Sequence, residues 1–200
     1  MDKAKLFNNI LFTLNRMEDK ILINKRLFSK LIQPKIVPFS EVKKIFWEEN
    51  KKGDSNSKWP FHLINNADQQ VGIWVLTKIP YEVFINIKLP YHYHGEKILV
   101  PRRGLTLKET YNKLRRIEEK YKKTNPLCFS KIDYFSKKDI GTIILSSVTP
   151  KGRDSYGEIF VRKHLIHIDG LHRMLGEMYK LERKSYKPVK CIIAVKEGQK

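Results

Sequence analysis

The sequence predicts an α/β (α+β) chain, and three observations carry that expectation. Segments rich in β-branched and aromatic residues read as strands: "VGIWVLTKI" (71–79), "GTIILSSV" (141–148) and "VKCIIAV" (189–195). Between the first two, "TLKETYNKLRRIEEKYKK" (106–123) places Leu107, Tyr111, Leu114, Ile117 and Tyr121 at helical spacing. An apolar fraction of 41% with 11% aromatics belongs to a chain that buries a core rather than to a disordered one.

Taken in order, residues 3–32 read as an amphipathic helix or helix pair. Leu6, Ile10, Leu14, Met17 and Ile21 fall on one face, and Glu18 and Asp19 break the basic face opposite, which favours packing over membrane binding. Pro34 and Pro38 close this region, and "SEVKKIFWEEN" (40–50) follows as a short helix capped by Ser40. "KKGDSNSKWP" (51–60) is a polar loop. "YEVFINIKL" (81–89) reads as a strand separated from the one before by Pro80, and "EKILVP" adds a short one. Glu109, three residues after Thr106, completes a capping box. "TNPLCFSKIDYFSKKD" is a break and a mixed segment, and "TPKGRDSYG" (149–157) is a loop with strong turn chemistry. "EIFVRKHLIHI" reads as a strand pair or one bent strand. A helix starts at once after Asp169-Gly170, and a final strand ends the pattern. Two regions are expected, 1–126 of mixed helix and strand and 127–200 with an α/β order.

The net charge of +19 asks for a polyanionic partner. Thirty of the forty basic residues are Lys, however, and base or phosphate forks favour Arg. Weak nucleic-acid binding through the bulk charge is therefore expected, not a dedicated surface. No stretch approaches the roughly eighteen apolar residues of a membrane span. The first residues lack a secretory signal, and two cysteines, Cys128 and Cys191, make neither a disulfide framework nor a zinc site by themselves. A reduced, cytoplasmic setting is expected.

The sharpest motif is "LIHIDGLHRMLGEMYKLE" (165–182). A strand ending in Asp-Gly with a helix beginning immediately offers free backbone N–H groups at the positive end of a helix dipole. His172 and Arg173 add side-chain donors beside it. That is a compact anion site; the plainer alternative is that Asp169 caps the helix and Arg173 lies on the surface.

"IDGLHRM", with its preceding strand, following helix and final strand, resembles the ParB/sulfiredoxin superfamily over about residues 127–197. The resemblance implies a C-terminal ParB/sulfiredoxin-like domain in which Gly170, Leu171, His172 and Arg173 hold nucleotide phosphates. Asp169, Gly170, His172 and Arg173 match the family's box, whereas Leu171 stands where many relatives carry a polar residue. No Cys occupies the box, so the sulfiredoxin reaction is not expected. No helix-turn-helix follows before Lys200, so neither is a partition protein.

The resemblance then implies an ATP- or other NTP-dependent phosphotransferase acting on a small hydroxylated metabolite such as an amino acid or sugar. Asp169 and His172 would be catalytic, and Mg²⁺ would be carried largely by the nucleotide. Asp154 and Asp133 are the alternative acceptor bases. The rival readings are a nucleic-acid-binding protein of the same fold and a non-catalytic nucleotide-binding member.

Two further motifs stand apart. "YHYHGE" (91–96) puts His92 and His94 on one strand face with Glu96 continuing it, half of a metal site with no later His-bearing strand to complete it. No protein-held metal is therefore expected. "PRRG" (101–104) sets Arg102 and Arg103 side by side before a helix, where they clamp an acidic group or simply solvate the surface.

Overall fold

The computed structural model describes residues 29–51, 58–94, 97–151, 156–159, 164–182 and 184–196. The expected helix over 3–32 therefore lies almost wholly outside the described residues; Ile32 itself is already in a strand.

The described elements run β1 (Ile32–Val37), α1 (Phe39–Lys51), α2 (Lys58–Val71), β2 (Gly72–Ile79), α3 (Tyr81–Phe84), β3 (Lys88–Leu89), β4 (His92–His94) and β5 (Lys97–Val100). They continue with β6 (Leu105–Thr106), α4 (Leu107–Arg116), α5 (Glu118–Thr124), α6 (Pro126–Ser136), β7 (Ile143–Ser146), β8 (Ile166–Asp169), α7 (Leu171–Leu181) and β9 (Val189–Lys196). The fold is mixed α+β, as the sequence predicts.

Seven strands form one mixed sheet in the order β1-β2-β9-β7-β8-β3-β6, and β4 and β5 make a separate hairpin. β9 pairs antiparallel with β2, from Gly72 opposite Lys196 to Ile79 opposite Val189, and parallel with β7. β8 pairs antiparallel with β7 and parallel with β3, where Lys88 lies opposite Ile166. The sheet thus joins the 1–126 and 127–200 segments that the sequence reading separates.

Strand alternation divides the core into two layers, one on each face of the sheet. One holds Val42, Ile45 and Phe46 of α1, Leu63, Ile64 and Ala67 of α2, and Ile166 and Ile168 of β8. The other holds Leu107 and Leu114 of α4, Tyr121 of α5, Cys128 and Ile132 of α6, and Leu171, Met174, Leu175 and Met178 of α7. α6 and α7 pack backbone to backbone: a Cβ at Gly176 would lie 2.7 Å from the Phe135 carbonyl carbon and 2.8 Å from the Ser136 nitrogen.

Several expectations need correction. Residues 81–89 are not one strand. The backbone N–H groups of Val83 and Phe84 donate to the Pro80 carbonyl, which winds 81–84 into a helical turn before β3. The loop at 51–60 is partly helical: Lys51 ends α1 and residues 58–60 begin α2, whose polar "NNADQQ" end hid it. α1 begins at Phe39, so Ser40 sits inside the first turn instead of capping it. The helix over 106–123 breaks at Ile117 (φ −114°, ψ 14°) into α4 and α5. Residues 126–136 are helix, with Pro126 in the first turn, where its missing N–H is no loss. The capping box forms as read: Thr106 Oγ1 accepts from the Glu109 N–H at 3.2 Å, and the Glu109 carboxylate accepts from the Thr106 N–H at 2.7 Å.

Candidate metal centre

The joint at 169–173 is built as a structural clamp before it is anything else. Gly170 is the N-cap of α7 at φ +102°, a left-handed conformation that suits glycine. A Cβ there would meet Ile143 Cγ2 at 2.9 Å. Asp169 is therefore not the cap; it ends β8, and its Oδ2 accepts from Arg173 Nη2 at 2.6 Å. Arg173 is buried, and its Nη1 donates to the Thr142 carbonyl at 2.9 Å and to Glu49 Oε2 at 3.2 Å. Glu49 Oε1 also accepts from the Thr142 N–H at 2.9 Å, and Asn50 Nδ2 reaches Asp169 Oδ2 at 3.4 Å. One cation and two carboxylates thus lock α1, β7, β8 and α7 together. The fork expected to grip phosphate holds the protein's own carboxylates, and the Leu171 side chain packs into the core.

His172 turns elsewhere. Its Nε2 lies 3.2 Å from Cys128 Sγ, and His92 Nε2 lies 3.5 Å from the same sulfur. The three donor atoms all lie within 4.8 Å of one another, and the two imidazole rings meet edge to face at 5.6 Å. Each donor arrives from a different element, for a reason visible in the topology. β3, which leads into β4 and His92, runs parallel to β8, which leads into Gly170 and α7, with Lys88 opposite Ile166. Cys128 and His172 stand in the first turns of α6 and α7, the two helices packed at Gly176.

The two S···N separations are close to those of a metal cage, and the two imidazole donors lie within 4.8 Å of each other. Zn–N of about 2.0–2.1 Å and Zn–S of about 2.3 Å at tetrahedral angles set S···N edges at about 3.6 Å and N···N edges at about 3.4 Å. Cys128 is 1% exposed, and burial pushes its thiol up, with Tyr121 and Lys131 opposing. The Tyr121 hydroxyl donates to Sγ at 3.2 Å, the outer support a metal thiolate commonly has. A buried, protonated thiol is a poor nucleophile toward a substrate it cannot meet. A metal ion is small enough to enter and displaces the proton outright.

His167, on β8, is 8% exposed, and neither ring nitrogen has a hydrogen-bond partner among the described residues. Burial first, then His92 and Arg173, push its pKa down to about 4, with Asp169 opposing. Leaving such nitrogens unpartnered costs roughly 1–3 kcal/mol each.

The other residues singled out in the sequence lie apart from this cluster. Asp133 is exposed on α6 and pairs with Lys137 at 2.7 Å. Asp154 and Glu96 lie outside the described residues, and of His94 only its place in β4 is described. Arg102 stacks over the Tyr91 ring at 5.2 Å. A cleft of about 660 Å³ opens among α5, α6 and the C-terminal end of α7, but its Arg115, Lys122 and Lys137 are already paired with Glu118 and Asp133. Among the described residues no helix is long and apolar enough to cross a membrane. Local spacing had linked His92 to His94 and Glu96; nothing local links it to Cys128 or His172, 36 and 80 residues away along the chain.

No curated protein and no solved structure matches the chain. One family model does, over residues 34–194, a span from β1 into β9 that takes in all three donors; the chain belongs to that family, described as a family of unknown function (DUF6309).

Proposed function

We propose that this protein binds one zinc ion through His92 Nε2, Cys128 Sγ and His172 Nε2 and uses its fourth position for metal-assisted chemistry. The observation that carries the reading is the pair of S···N distances, 3.2 and 3.5 Å, around one buried sulfur. Two imidazoles and a thiolate suit zinc, and three protein ligands with one open position are the arrangement of catalytic rather than structural sites. At that position zinc polarises a carbonyl or phosphoryl oxygen, or lowers the pKa of bound water so that hydroxide forms near neutral pH. The half-exposed His92 and His172 give the site a solvent side, and Cys128 closes it on the core side.

Metal analysis of protein purified without chelator, followed by equilibrium dialysis, tests this. One zinc per chain is expected, lost in Cys128→Ser and in His172→Ala. Zinc at 100 times its Kd should stabilise the native chain by about 2.7 kcal/mol. Wild-type protein that binds no zinc, cobalt or copper refutes the assignment.

A second reading, phosphoryl transfer from ATP with Mg²⁺ to a small acceptor, is favoured by one observation: Gly170 at φ +102° opening α7 beside His172. It rests on the ParB/sulfiredoxin resemblance at residues 169–173, with nucleotide held by the backbone at 170–172, because Arg173 is committed elsewhere. A melting-temperature panel of nucleotides with Mg²⁺ separates the two readings. Stabilisation by nucleotide that survives Cys128→Ser supports the second.

A further inference from the structure

Three protein donors leave a tetrahedral zinc one position short. Among the described residues His167 is a buried imidazole with neither ring nitrogen hydrogen-bonded. On β8, Ile166 and Ile168 turn into the α1–α2 layer, so His167 between them turns into the opposite layer, the one that holds Cys128 and α7. The ring is buried, and neither nitrogen finds a hydrogen-bond partner among the described residues. A leucine would fill this space without leaving a donor and an acceptor stranded, so an imidazole here calls for a partner that the described residues do not supply.

His167 is also not a fourth cage ligand as it stands. Among the described residues, the donors that lie within 4.8 Å of one another are those of His92, Cys128 and His172. Yet it stands two residues before Asp169 on the strand that leads into α7 and His172, and that strand lies beside β3, which leads to His92. The effect of His92 on its charge agrees with that placement. An indirect role, through one small group bridging the gap between ring and metal, fits an imidazole that shares the layer of Cys128 but is not one of the three grouped donors. A metal–oxygen bond of about 2.0–2.2 Å followed by a hydrogen bond of about 2.8 Å spans such a gap.

We propose that His167 hydrogen-bonds to an exchangeable ligand on the fourth position of the zinc: water in the resting protein, and an oxygen of the substrate during turnover. His167 is then a positioning residue that selects small oxygen ligands able to complete its hydrogen bond. This rests on the zinc assignment above and adds to it the identity of what sits opposite the three protein donors. It also accounts for the burial of a polar ring in an apolar layer: the layer is apolar only until the metal brings its own ligand.

The test uses the full chain loaded with cobalt(II) in place of zinc, with azide as a monodentate probe that displaces metal-bound water. Wild type is compared with His167→Leu and with His167→Gln, which keeps a hydrogen-bonding group if the leucine variant fails to fold. The expected result is 1:1 cobalt binding in both variants, with the thiolate charge-transfer band retained. Azide affinity should change by about tenfold or more in His167→Leu and be partly restored in His167→Gln, in line with the size of outer-shell effects. An unchanged azide affinity in His167→Leu overturns the proposal. So does a collapse of cobalt affinity with loss of one imidazole donor in X-ray absorption, which would make His167 a ligand. Wild-type protein that takes up no zinc, cobalt or copper overturns the zinc assignment itself, a distinct outcome read before any variant is made.

Discussion

Replacing Arg173 by Met keeps most of the side-chain volume and removes the charge from the centre of the clamp. Its side chain is 9% exposed, and those of Asp169 and Glu49 are 12% and 19% exposed. The variant therefore leaves two carboxylates with little water and no cation, and orphans the Thr142 carbonyl. Breaking a buried pair in this way costs about 3–5 kcal/mol, mostly the penalty of stranded charge rather than the worth of the bridge. For a chain of this size each kcal/mol lowers Tm by about 2–4 °C, so a drop of about 10 °C is expected. Thermal and urea unfolding of the metal-free protein measure it. The triple variant Arg173→Met, Asp169→Asn, Glu49→Gln should regain much of the loss, because it strands no charge. A Tm within about 2 °C of wild type for the single variant, accompanied by weaker nucleotide binding, would refute this reasoning and return Arg173 to the phosphate role.

Three further outcomes are expected. Gly176→Ala drives a methyl into the Phe135–Ser136 backbone and should cost about 1–3 kcal/mol in chemical unfolding, with looser packing of α6 on α7. Thr106→Ala removes the cap of α4 and should cost about 1 kcal/mol, whereas Thr106→Ser should cost little. In the metal-free protein, His167 has a folded pKa of about 4 against an ordinary 6.5, so the unfolded chain binds the extra proton first. Its contribution is present above pH 6.5 and is lost as pH falls from 6.5 towards 4. At about 1.4 kcal/mol per pH unit that loss is about 3 kcal/mol. Urea titrations across this range should show it, and His167→Leu should flatten the slope.

Much of the secondary structure is legible in the residues because its causes are local. The Thr106–Glu109 box, the apolar runs of β2, β7 and β9, and the strand–glycine–helix joint at 166–171 each need only near neighbours. α2 escapes because "INNADQQV" carries turn-forming residues on a helix held by Leu63, Ile64 and Ala67 against the sheet, a tertiary cause. The 81–89 segment has strand composition but follows a proline whose carbonyl organises a turn. At the site, Asp169, Gly170, His172 and Arg173 are legible as a unit, but their division of labour is not. Arg173 answers to Glu49, 124 residues away, and His172 to Cys128, 44 residues away. The first pairing exists only once α1 packs beside β8 and α7, and the second only once α6 meets α7.

The position of β9 has a consequence for how this chain comes off the ribosome. It is the last described strand in chain order, yet it lies between β2 and β7 in the sheet. Until residues 189–196 emerge, β2 and β7 each present an open edge flanked by apolar residues such as Val75, Ile143 and Leu145. Such edges are templates for pairing with other chains. Until β9 emerges, the nascent sheet is in unjoined parts, β1-β2 on one side and β7 with the strands beyond it on the other. Closure of the sheet must wait for β9, and fragments stopped before Val189 should aggregate or require a chaperone, even though they carry His92, Cys128 and His172.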